Sequence, residues 1–397
     1  MRQDAVQLGV VGLGRAFMLM LPTLVQHPRL RLVAACDPRP EARACFARDF
    51  AGARTHEDVA ALCADPAVQA VYVASPHQFH LDHVRAAAAA GKHVLVEKPL
   101  ALSLEEAQAM IAAARAGGVH LLVGHSHSFD APYRLAREMI RSGAYGAPRM
   151  ITALNATDYL YRPRRPEELD TAQGGGAIFS QAPHQVEVVR LLAGRPARSI
   201  RAAASVWDPA RGTEGAYNAL LDFGEGLSAT LTYDGHAHFD TDEFQGWFGE
   251  MGLPRDPGRY GEARAALAHI RSREEEAALK NRRAYGTNLD AGEARSAAPP
   301  PAYNHFGLVL VSCERAALRP TPQGVMVHGD TERRFEALPP PAVARQEVAE
   351  ELYDAVARGI PPLHSGEWGL ATLEICLALL ESARTGREVA LRHQGAG

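Results

Sequence analysis

Lysine is scarce in this chain of 397 residues. Of its 42 basic residues only Lys92, Lys98 and Lys280 are lysines, and the others are arginines. Arginine keeps its proton under all physiological conditions, whereas lysine can lose its proton and offers a compact head with three donors. A lysine that is retained in an arginine-rich chain is therefore informative.

Cysteine is also rare, with five scattered residues and no CxxC pair. This usage is typical of unpaired thiols in a reducing cytoplasm. The net charge of −4 is small for this length, which argues against nucleic acid or a membrane surface as a partner. No apolar run reaches the ~20 residues that span a bilayer, and the N-terminal residues do not resemble a secretory signal. We therefore expect a cytoplasmic protein without nucleic-acid or membrane partners.

The N-terminal third alternates short apolar runs with segments that are typical of helices. The apolar runs are VQLGVVGLG (6–14), LRLVAACD (30–37), AVYVAS (70–75), HVLVEK (93–98) and VHLLVGH (119–125). Buried strands that alternate with helices predict an α/β fold with a parallel, doubly wound sheet. We assign this domain to residues 1–127.

After about residue 127 the pattern changes to strand-like segments with fewer helices between them. These segments are RMITALNA, RSIRAAASVW, AYNALLDF and LSATLTYDG. Several of them alternate apolar and polar residues, as strands with one buried face do. We predict that residues 128–397 form an α+β domain on a largely antiparallel sheet, with a charged, helix-prone insertion at about 249–304.

A glycine-rich turn follows the first predicted strand. Gly12 and Gly14 open a helix, and Asp37 ends the next strand. Such glycines admit a pyrophosphate to the helix N-terminus, and such an acid binds the adenosine ribose. Phe17 stands where a third small residue is usual, and an ordinary tight turn is the alternative. Asp37 favours NAD over NADP because a carboxylate repels a 2′-phosphate, whereas Arg39 nearby favours the opposite.

Two other strand ends carry polar residues. Glu97 and Lys98 precede Pro99 at the end of one strand, and SPHQFH (75–80) ends another. Ligands of doubly wound sheets gather at these carboxyl ends, and Pro99 biases Lys98 toward an extended backbone. We predict that Lys98 is functional. A surface lysine in a turn is the alternative, as is a plain turn and helix start for SPHQFH.

These motifs, together with GGGAIFSQAPHQVEVVRLL (174–192), resemble the Gfo/Idh/MocA oxidoreductase family over nearly the whole chain outside 249–304. The resemblance implies a Rossmann domain, an NAD cofactor and a C-terminal domain whose open sheet mediates assembly, which we expect to give a homodimer or homotetramer. It also implies that Lys98 lies beside nicotinamide and substrate and that His184 accepts the proton. The expected cofactor-binding residues are Gly12, Gly14, Arg15, Ala16, Asp37, Arg39, Ser75, Pro76, His80, Glu97 and Lys98.

His184 lies near the start of a predicted helix, where a neutral imidazole with an ordinary pKa of about 6.5 can accept an alcohol proton. Three glycines at 174–176 are expected to let the backbone pass close to cofactor and substrate. The family often has an aspartate at the position of Ser180, and serine supplies no charge. Either His184 works without that charge, or another acid such as Asp170 or Glu187 assists it.

The segments GHSHSFD (124–130) and YLYRPRRPEELDTAQGGG (159–176) are rich in histidine and arginine. Arginine pairs bidentately with carboxylates, and a solvated arginine loop is the alternative. The segments are similar to the phthalate 4,5-cis-dihydrodiol dehydrogenase branch of the family, whose substrate carries two carboxylates. The expected substrate-binding residues are His125, Tyr161, Arg162, Arg164, Ser180 and Gln181, with Arg165 in solvent.

We therefore predict an NAD-dependent dehydrogenase of a carboxylated cyclic cis-diol. The best candidate is phthalate 4,5-cis-dihydrodiol, oxidised to 4,5-dihydroxyphthalate in aromatic degradation. A dehydrogenase of a sugar or inositol-like polyol and a non-catalytic dinucleotide-binding sensor are the alternatives. Metal ligands are conceivable at HSH (125–127) and at His236, His238, Asp240 and Asp242, which would share one face of a strand. We expect no metal, because nicotinamide accepts hydride without one.

Overall fold

The computed structural model describes residues 5–287 and 290–395. The chain divides by compactness into two units. The first unit comprises Met1–His125, Ala278–Pro299 and Ala342–Leu373, and the second unit comprises Ser126–Ala277, Pro300–Pro341 and Glu374–Gly397. The first division lies close to the expected boundary at residue 127, but the chain then returns to the first unit twice. Part of the 249–304 region therefore belongs to the first unit and is not an insertion within the second.

The first unit is built on a six-stranded sheet with helices between its strands. The strands are β1 (Val6–Val11), β2 (Leu30–Cys36), β3 (Arg54–His56), β4 (Ala70–Val73), β5 (His93–Val96) and β6 (Leu121–Val123). The helices between them are α1 (Arg15–Gln26), α2 (Pro40–Asp49), α3 (Val59–Ala64), α4 (His80–Ala89) and α5 (Leu104–Ala116). All strand pairs are parallel, and the order is β3-β2-β1-β4-β5-β6. This is the Rossmann order, in which ligands bind beyond the carboxyl ends of the strands.

Each predicted apolar run forms one of these strands, but the strands end a few residues before the runs do. β1 ends at Val11 and β5 at Val96, so the glycine-rich turn and Lys98 lie beyond the carboxyl ends. The residues of β4 are all buried, as expected for a strand that helices cover on both faces. Helix α5 begins with a side-chain cap, since Ser103 accepts a hydrogen bond from the Glu106 N–H at 3.2 Å.

The remaining elements follow residue 125. The helices are α6 (Ala131–Arg141), α7 (Gly176–Ser180), α8 (Ala182–Ala193), α9 (Glu262–Ala268), α10 (Arg273–Asn281), α11 (Ala291–Ser296), α12 (Gln346–Arg358) and α13 (Gly366–Thr385). The strands are β7 (Pro148–Ala156), β8 (Ser199–Ser205), β9 (Ala216–Gly224), β10 (Leu227–Asp234), β11 (Leu308–Cys313), β12 (Ala316–Thr321), β13 (Gly324–Gly329), β14 (Arg333–Ala337) and β15 (Val389–Ala390). Helices α11 and α12 belong to the first unit, and the division falls within α10 and α13.

The second unit is built on a nine-stranded sheet of order β14-β13-β12-β11-β7-β10-β9-β8-β15. The β7–β10 pair is parallel and the other pairs are antiparallel. In β9, Tyr217, Ala219 and Leu221 are buried and the residues between them are exposed, so one face packs and the other is open. The fold class predicted from the sequence is confirmed. No helix within the described residues is long and apolar enough to cross a membrane.

Candidate active site

The glycine-rich turn after β1 needs its two glycines for different reasons. Gly12 has a φ of +92°, and a Cβ there would lie 2.8 Å from the backbone nitrogen of Ser75. Gly14 begins α1 without a side-chain cap, and a Cβ there would have nothing within 4 Å. The open space beside Gly14 and the uncapped start of α1 together fit the pyrophosphate of NAD.

Basic residues surround the same helix start. Partial burial and the charges of Arg283 and Arg345 lower the pKa of Arg15. Arg15 and Ala16 lie in the first turn of α1. The positive charge and the uncapped amides together suit the two phosphates of a dinucleotide.

Asp37 and Arg39, which the sequence offered as opposing signals for the cofactor, form an ion pair. The Arg39 Nε–H donates to Asp37 at 3.0 Å, and the Leu13 N–H donates to the same carboxylate at 2.7 Å. The Arg39 guanidinium also donates to the Leu13 carbonyl at 2.9 Å and to the Tyr285 carbonyl at 3.2 Å. Asp37 therefore holds the glycine-rich turn in place, and its contact with a ribose stays a prediction.

Phe17 fills the position where a third small residue was expected. Its ring is fully buried and packs edge-on against Tyr285, with ring centroids 5.3 Å apart. The Tyr285 N–H donates to the Leu13 carbonyl at 3.1 Å. A bulky residue is accommodated here because the returning segment that carries Tyr285 provides a surface for it.

His80 links the ends of β4 and β5. Its Nε2 lies 3.1 Å from the Ser75 carbonyl, and its Nδ1 lies 3.2 Å from the Pro99 carbonyl. Burial lowers the pKa of His80 to about 4, so the ring is neutral at physiological pH. His80 thus positions both loops, while the Pro76 side of the first loop is exposed.

Glu97 and Lys98 follow β5 directly. The Tyr72 hydroxyl donates to Glu97 at 2.6 Å, and burial raises the pKa of Glu97. Lys98 is half-buried at the carboxyl end of the strand, the region where this kind of sheet binds its ligands.

The glycines before His184 are needed to pack the chain against itself. Gly174 and Gly176 have φ values of +80° and +81°. A Cβ on Gly175 would lie 2.6 Å from the Glu167 carbonyl oxygen, and one on Gly176 would collide with Thr213. Contacts within the second unit therefore account for these glycines, which we expected to serve the approach of a ligand.

His184 lies in the first turn of α8 and is 5% exposed. The ring of His127 is 4.8 Å away, centroid to centroid, and that of Phe306 is 5.1 Å away. His127 Nδ1 lies 2.7 Å from Asp130 Oδ2, and its Nε2 lies 3.4 Å from Glu250 Oε1. Two imidazoles and two carboxylates thus form one cluster, which we call the histidine cluster.

The carboxylates of this cluster control the charge of His127. Burial alone would lower the pKa of His127, but Asp130 and Glu250 outweigh burial, and the pKa is raised. His305 directly precedes Phe306 in the chain. Its pKa shifts in the opposite direction, because burial lowers it to about 4. The cluster therefore favours a positive charge between His127 and the two acids.

The acids that we considered as substitutes for the family aspartate have other partners. Asp170 accepts the Ala172 N–H at 3.0 Å and so caps a short helical turn. Glu187 accepts the Ser128 hydroxyl at 2.7 Å. Ser180 itself is hydrogen-bonded to the Tyr159 hydroxyl and to the Gly176 carbonyl. Asp130, which the sequence analysis did not select, is the carboxylate paired with the neighbouring histidine.

The three arginines of the 162–165 segment differ in their surroundings. The Arg162 Nε–H donates to Asp158 at 3.0 Å. Burial would lower the pKa of Arg162, but the charges of Asp158 and Glu250 raise it, which locates Arg162 next to the histidine cluster. Arg165 is half-exposed beside Glu167, 3.1 Å away.

Arg164 is enclosed by protein atoms. Its guanidinium lies 3.7 Å from the centre of the Tyr159 ring and donates to the Tyr159 carbonyl at 2.7 Å. The side chain is 7% exposed. Arg164 therefore stabilises the fold of this loop, and Arg162 remains the stronger candidate for contact with a substrate.

Other expected substrate residues also have protein partners. The Tyr161 ring lies under the Arg264 guanidinium, 4.0 Å away. The Gln181 N–H donates to the Ala177 carbonyl at 2.8 Å, and His125 is buried at the end of the first unit. For these residues substrate contact stays a prediction.

The proposed strand face from His236 to Asp242 does not exist. β10 ends at Asp234, and a short helical turn covers Thr241–Gln245. His236 stacks on Trp207, with ring centroids 4.9 Å apart, and Asp240 and Asp242 both accept from Arg255. The carboxylates of this segment are thus paired with an arginine.

Asp130, Glu250 and Phe306 were not predicted from the sequence. The HSFD spacing, with His127 and Asp130 three residues apart, could have indicated an ion pair, and it forms. No local pattern marks Glu250, because it meets His127 only after the second unit has folded.

An NAD-binding Rossmann unit and a second unit with a buried histidine cluster define an oxidoreductase that uses a dinucleotide. Family models match as "Oxidoreductase family, NAD-binding Rossmann fold" over residues 6–125 and as "GFO/IDH/MocA C-terminal domain" over residues 133–249. The chain belongs to the GFO/IDH/MocA oxidoreductase family, and its cofactor is NAD.

Known relatives cover nearly the whole chain. A 1-carboxy-3-chloro-3,4-dihydroxycyclohexa-1,5-diene dehydrogenase from Comamonas testosteroni is 46% identical, over 96% of this chain and 95% of that protein. A crystal structure from Bordetella bronchiseptica RB50 matches with a TM-score of 0.90 and 40% identity, covering 98% of this chain and 100% of that one. The WlbA dehydrogenase from Bordetella pertussis, solved with NADH and UDP-GlcNAcA, shares the fold with a TM-score of 0.66 and 22% identity, over 98% of this chain and 99% of that one.

Proposed function

We propose that this protein is a cytoplasmic NAD-dependent dehydrogenase that oxidises a carboxylated cyclic cis-diol during aromatic degradation. The observation that carries the proposal is the 46% identity, over 96% of the chain, to a relative whose name specifies a cyclohexadiene ring with one carboxyl and two adjacent hydroxyl groups. Our preferred candidate, phthalate 4,5-cis-dihydrodiol, has the same ring type with a second carboxylate.

NAD⁺, when bound, accepts the hydride from the carbon that bears the reacting hydroxyl. We assign to Lys98 a hydrogen bond to that hydroxyl, which also stabilises the negative charge that develops on its oxygen. We propose that His184 accepts the proton that this hydroxyl loses. The hydroxy-ketone that results tautomerises to a catechol, and this aromatisation draws the reaction forward.

Recognition of the carboxylate is assigned to Arg162. The side chains of Arg162 and Arg165 are equally exposed, whereas Arg164 is buried on Tyr159. Arg162 is preferred because it lies close enough to Glu250 of the histidine cluster for that charge to act on it. A charge-assisted hydrogen bond to a carboxylate contributes roughly 1.5–3 kcal/mol. A ring with at least one carboxylate should therefore bind more tightly than its uncharged analogue.

The test is NADH formation, followed by absorbance, with four substrates in parallel. They are phthalate 4,5-cis-dihydrodiol, a monocarboxylated cis-dihydrodiol, the uncharged cis-dihydrodiol and myo-inositol. We expect kcat/KM at least tenfold higher for one or both carboxylated diols than for the other two. Equal turnover of the uncharged diol would refute the proposed recognition of a substrate carboxylate. Preferred turnover of inositol would indicate a polyol dehydrogenase. NAD binding without turnover of any substrate would favour a sensor.

We further propose a homodimer or homotetramer formed through the open face of the nine-stranded sheet. Met150 and Leu220 expose 47% and 49% of their surfaces there, and contiguous exposed apolar surface commonly marks an interface. Light scattering should give a mass of two or four chains. Leu220→Glu should lower that mass, and Glu225→Lys, on a turn beyond β9, should not. A monomeric wild type would refute this assignment.

A further inference from the structure

We propose that His127, His184 and Glu250 form a binding site for a divalent transition-metal ion such as Zn²⁺ or Fe²⁺. Each residue offers one ligand atom, and these atoms all lie within 4.8 Å of one another. The three residues come from the turn before α6, from α8 and from the loop after β10, all within the second unit. Two imidazoles and one carboxylate are a common set for zinc and for non-haem iron.

The spacing within the cluster suits a shared ion better than a direct hydrogen bond. His127 Nε2 and Glu250 Oε1 are 3.4 Å apart, which exceeds the usual range of about 2.7–3.2 Å for N–H···O bonds. Two ligands about 2.0–2.1 Å from a tetrahedral ion are roughly 3.3–3.4 Å apart. The observed separation of these two atoms therefore matches that of two ligands bound to the same tetrahedral ion.

The other nitrogen of His127 has the partner that a metal-binding histidine needs. Nδ1 lies 2.7 Å from Asp130, and a carboxylate behind a histidine fixes the tautomer and makes the outward nitrogen a better ligand. His127 is fully buried, and Phe306 packs 5.2 Å from its ring. His127 is thus enclosed by protein, and Phe306 makes one side of its surroundings apolar.

Charge also favours a cation at this position. Asp130 Oδ2 and Glu250 Oε1 lie 2.7 Å and 3.4 Å from the two ring nitrogens of His127, so two carboxylates face one imidazole. A divalent ion would balance the negative charge of these carboxylates. From the sequence we expected no metal, and the proposal of a metal site differs from that expectation.

The role of the ion rests on the proposed function. A site with three protein ligands keeps positions open, and the two adjacent oxygens of a cis-diol can fill two of them. The ion would lower the pKa of the bound hydroxyl. The O–H bond breaks and the proton passes to water, the C–H electron pair passes as hydride to NAD⁺, which is reduced to NADH, and the carbon becomes a carbonyl. With the ion bound, His184 holds the ion, and this role replaces the proton acceptance assigned to His184 under the proposed function.

The first experiment measures metal binding by the full, untagged chain in the absence of substrate. The protein is dialysed against EDTA, titrated with ZnSO₄ by calorimetry and analysed for metal content. We expect one Zn²⁺ per chain, with binding weakened at least 100-fold in His127→Ala and Glu250→Gln, and 10–100-fold in Asp130→Asn. His236→Gln, a histidine stacked on Trp207, is the matched control and should bind as the wild type does.

Thermal unfolding of each variant without metal verifies that the variant is folded. We expect Glu250→Gln to fold best, because the Glu250 side chain is 38% exposed. Less than one-tenth of an ion per chain in the wild type, or wild-type affinity in folded Glu250→Gln, would overturn the site. Undiminished diol oxidation by metal-depleted enzyme would overturn the catalytic role and leave the proposed function standing. Stoichiometric Zn²⁺ without oxidation of any diol, with Zn²⁺ or Fe²⁺ added, would support the site and refute the proposed function.

Discussion

Arg39 lies against Asp37, with its Nε 3.0 Å from the carboxylate that also accepts the Leu13 N–H at 2.7 Å. The residue that would attract a 2′-phosphate is thus neutralised by the residue that would repel it. The Arg39 guanidinium is held further by the carbonyls of Leu13 and Tyr285. The loop that follows β2 is therefore fixed before any cofactor arrives.

This ion pair leads to a prediction about cofactor choice. We expect kcat/KM to be at least tenfold higher with NAD than with NADP, because Arg39 must leave Asp37 to bind a 2′-phosphate. Asp37→Asn keeps an oxygen that can accept the Leu13 N–H but removes the charge, so it should reduce this preference. Steady-state kinetics with both cofactors gives the answer. A higher kcat/KM with NADP in the wild type would show that Arg39 governs the site.

The second prediction concerns Lys98 and His184. His184→Ala should lower kcat by ~10²–10⁴-fold, as expected when a group that assists proton transfer is lost. Lys98→Met should have an effect of similar size, because it removes the cation assigned to the reacting oxygen. In His184→Ala, the dissociation constant of NAD, measured by fluorescence, should change far less than kcat. Near-native kcat in both variants would show that the assigned roles are wrong.

The third prediction separates the three arginines of the 162–165 segment. Arg162→Ala should raise KM for a carboxylated diol about tenfold or more, since it removes a charge-assisted hydrogen bond. Arg164→Ala should mainly lower the free energy of unfolding, by about 1–3 kcal/mol, because it empties a buried site on Tyr159. Arg165→Ala should change stability by less than about 0.5 kcal/mol, as surface substitutions usually do.

Kinetics and urea unfolding on the same three proteins distinguish these effects. If Arg162→Ala binds the carboxylated diol as well as the wild type, the carboxylate is recognised elsewhere. If Arg164→Ala retains full stability, its packing on Tyr159 contributes little to the fold.

Local sequence was sufficient for five of the six strands of the Rossmann sheet. It was not sufficient for the short strand β3 or for the return of the chain to the first unit. Short apolar runs between helices allow few arrangements other than a parallel sheet, and each run became a strand. Which unit a later helix joins is decided by long-range packing. Tyr285 lies on Phe17, and neither residue carries a local signal for that contact.

The candidate site was predictable where it follows strand ends or a family motif, and not where it depends on tertiary contacts. Lys98 and His184 come from motifs, and their neighbourhoods could be expected. Glu250 approaches His127 across more than a hundred residues of sequence. Arg164 was expected to bind substrate together with Arg162, but its guanidinium stacks on Tyr159.

The fourth prediction contrasts two glycines of one turn. Gly12→Ala should destabilise the protein severely, because its φ of +92° strains an L-residue and its Cβ would contact the Ser75 nitrogen at 2.8 Å. Gly14 has a φ of −82° and open space around its Cβ position, so Gly14→Ala should fold normally and bind NAD at least tenfold more weakly. Thermal unfolding and NAD titration test both. Native NAD affinity in Gly14→Ala would exclude the proposed approach of the pyrophosphate.

The last prediction concerns the acid sensitivity that buried His80 imposes on the first unit. Burial lowers its pKa to about 4, whereas an unfolded histidine has a pKa of about 6.5. As the pH falls below that value, the unfolded chain gains a proton that the folded chain does not take, so stability falls. The loss is absent above pH ~7, reaches about 2 kcal/mol at pH 5, and is complete below pH ~4.

His80→Gln removes the titrating group but keeps a side chain that can donate to the Ser75 or Pro99 carbonyl. Its stability should therefore be lower than that of the wild type at pH 7, and the difference should shrink by about 2 kcal/mol at pH 5. Urea unfolding of both proteins at pH 7, 6 and 5 measures this difference. A constant difference over that range would mean that His80 is protonated in the folded protein as readily as in the unfolded chain.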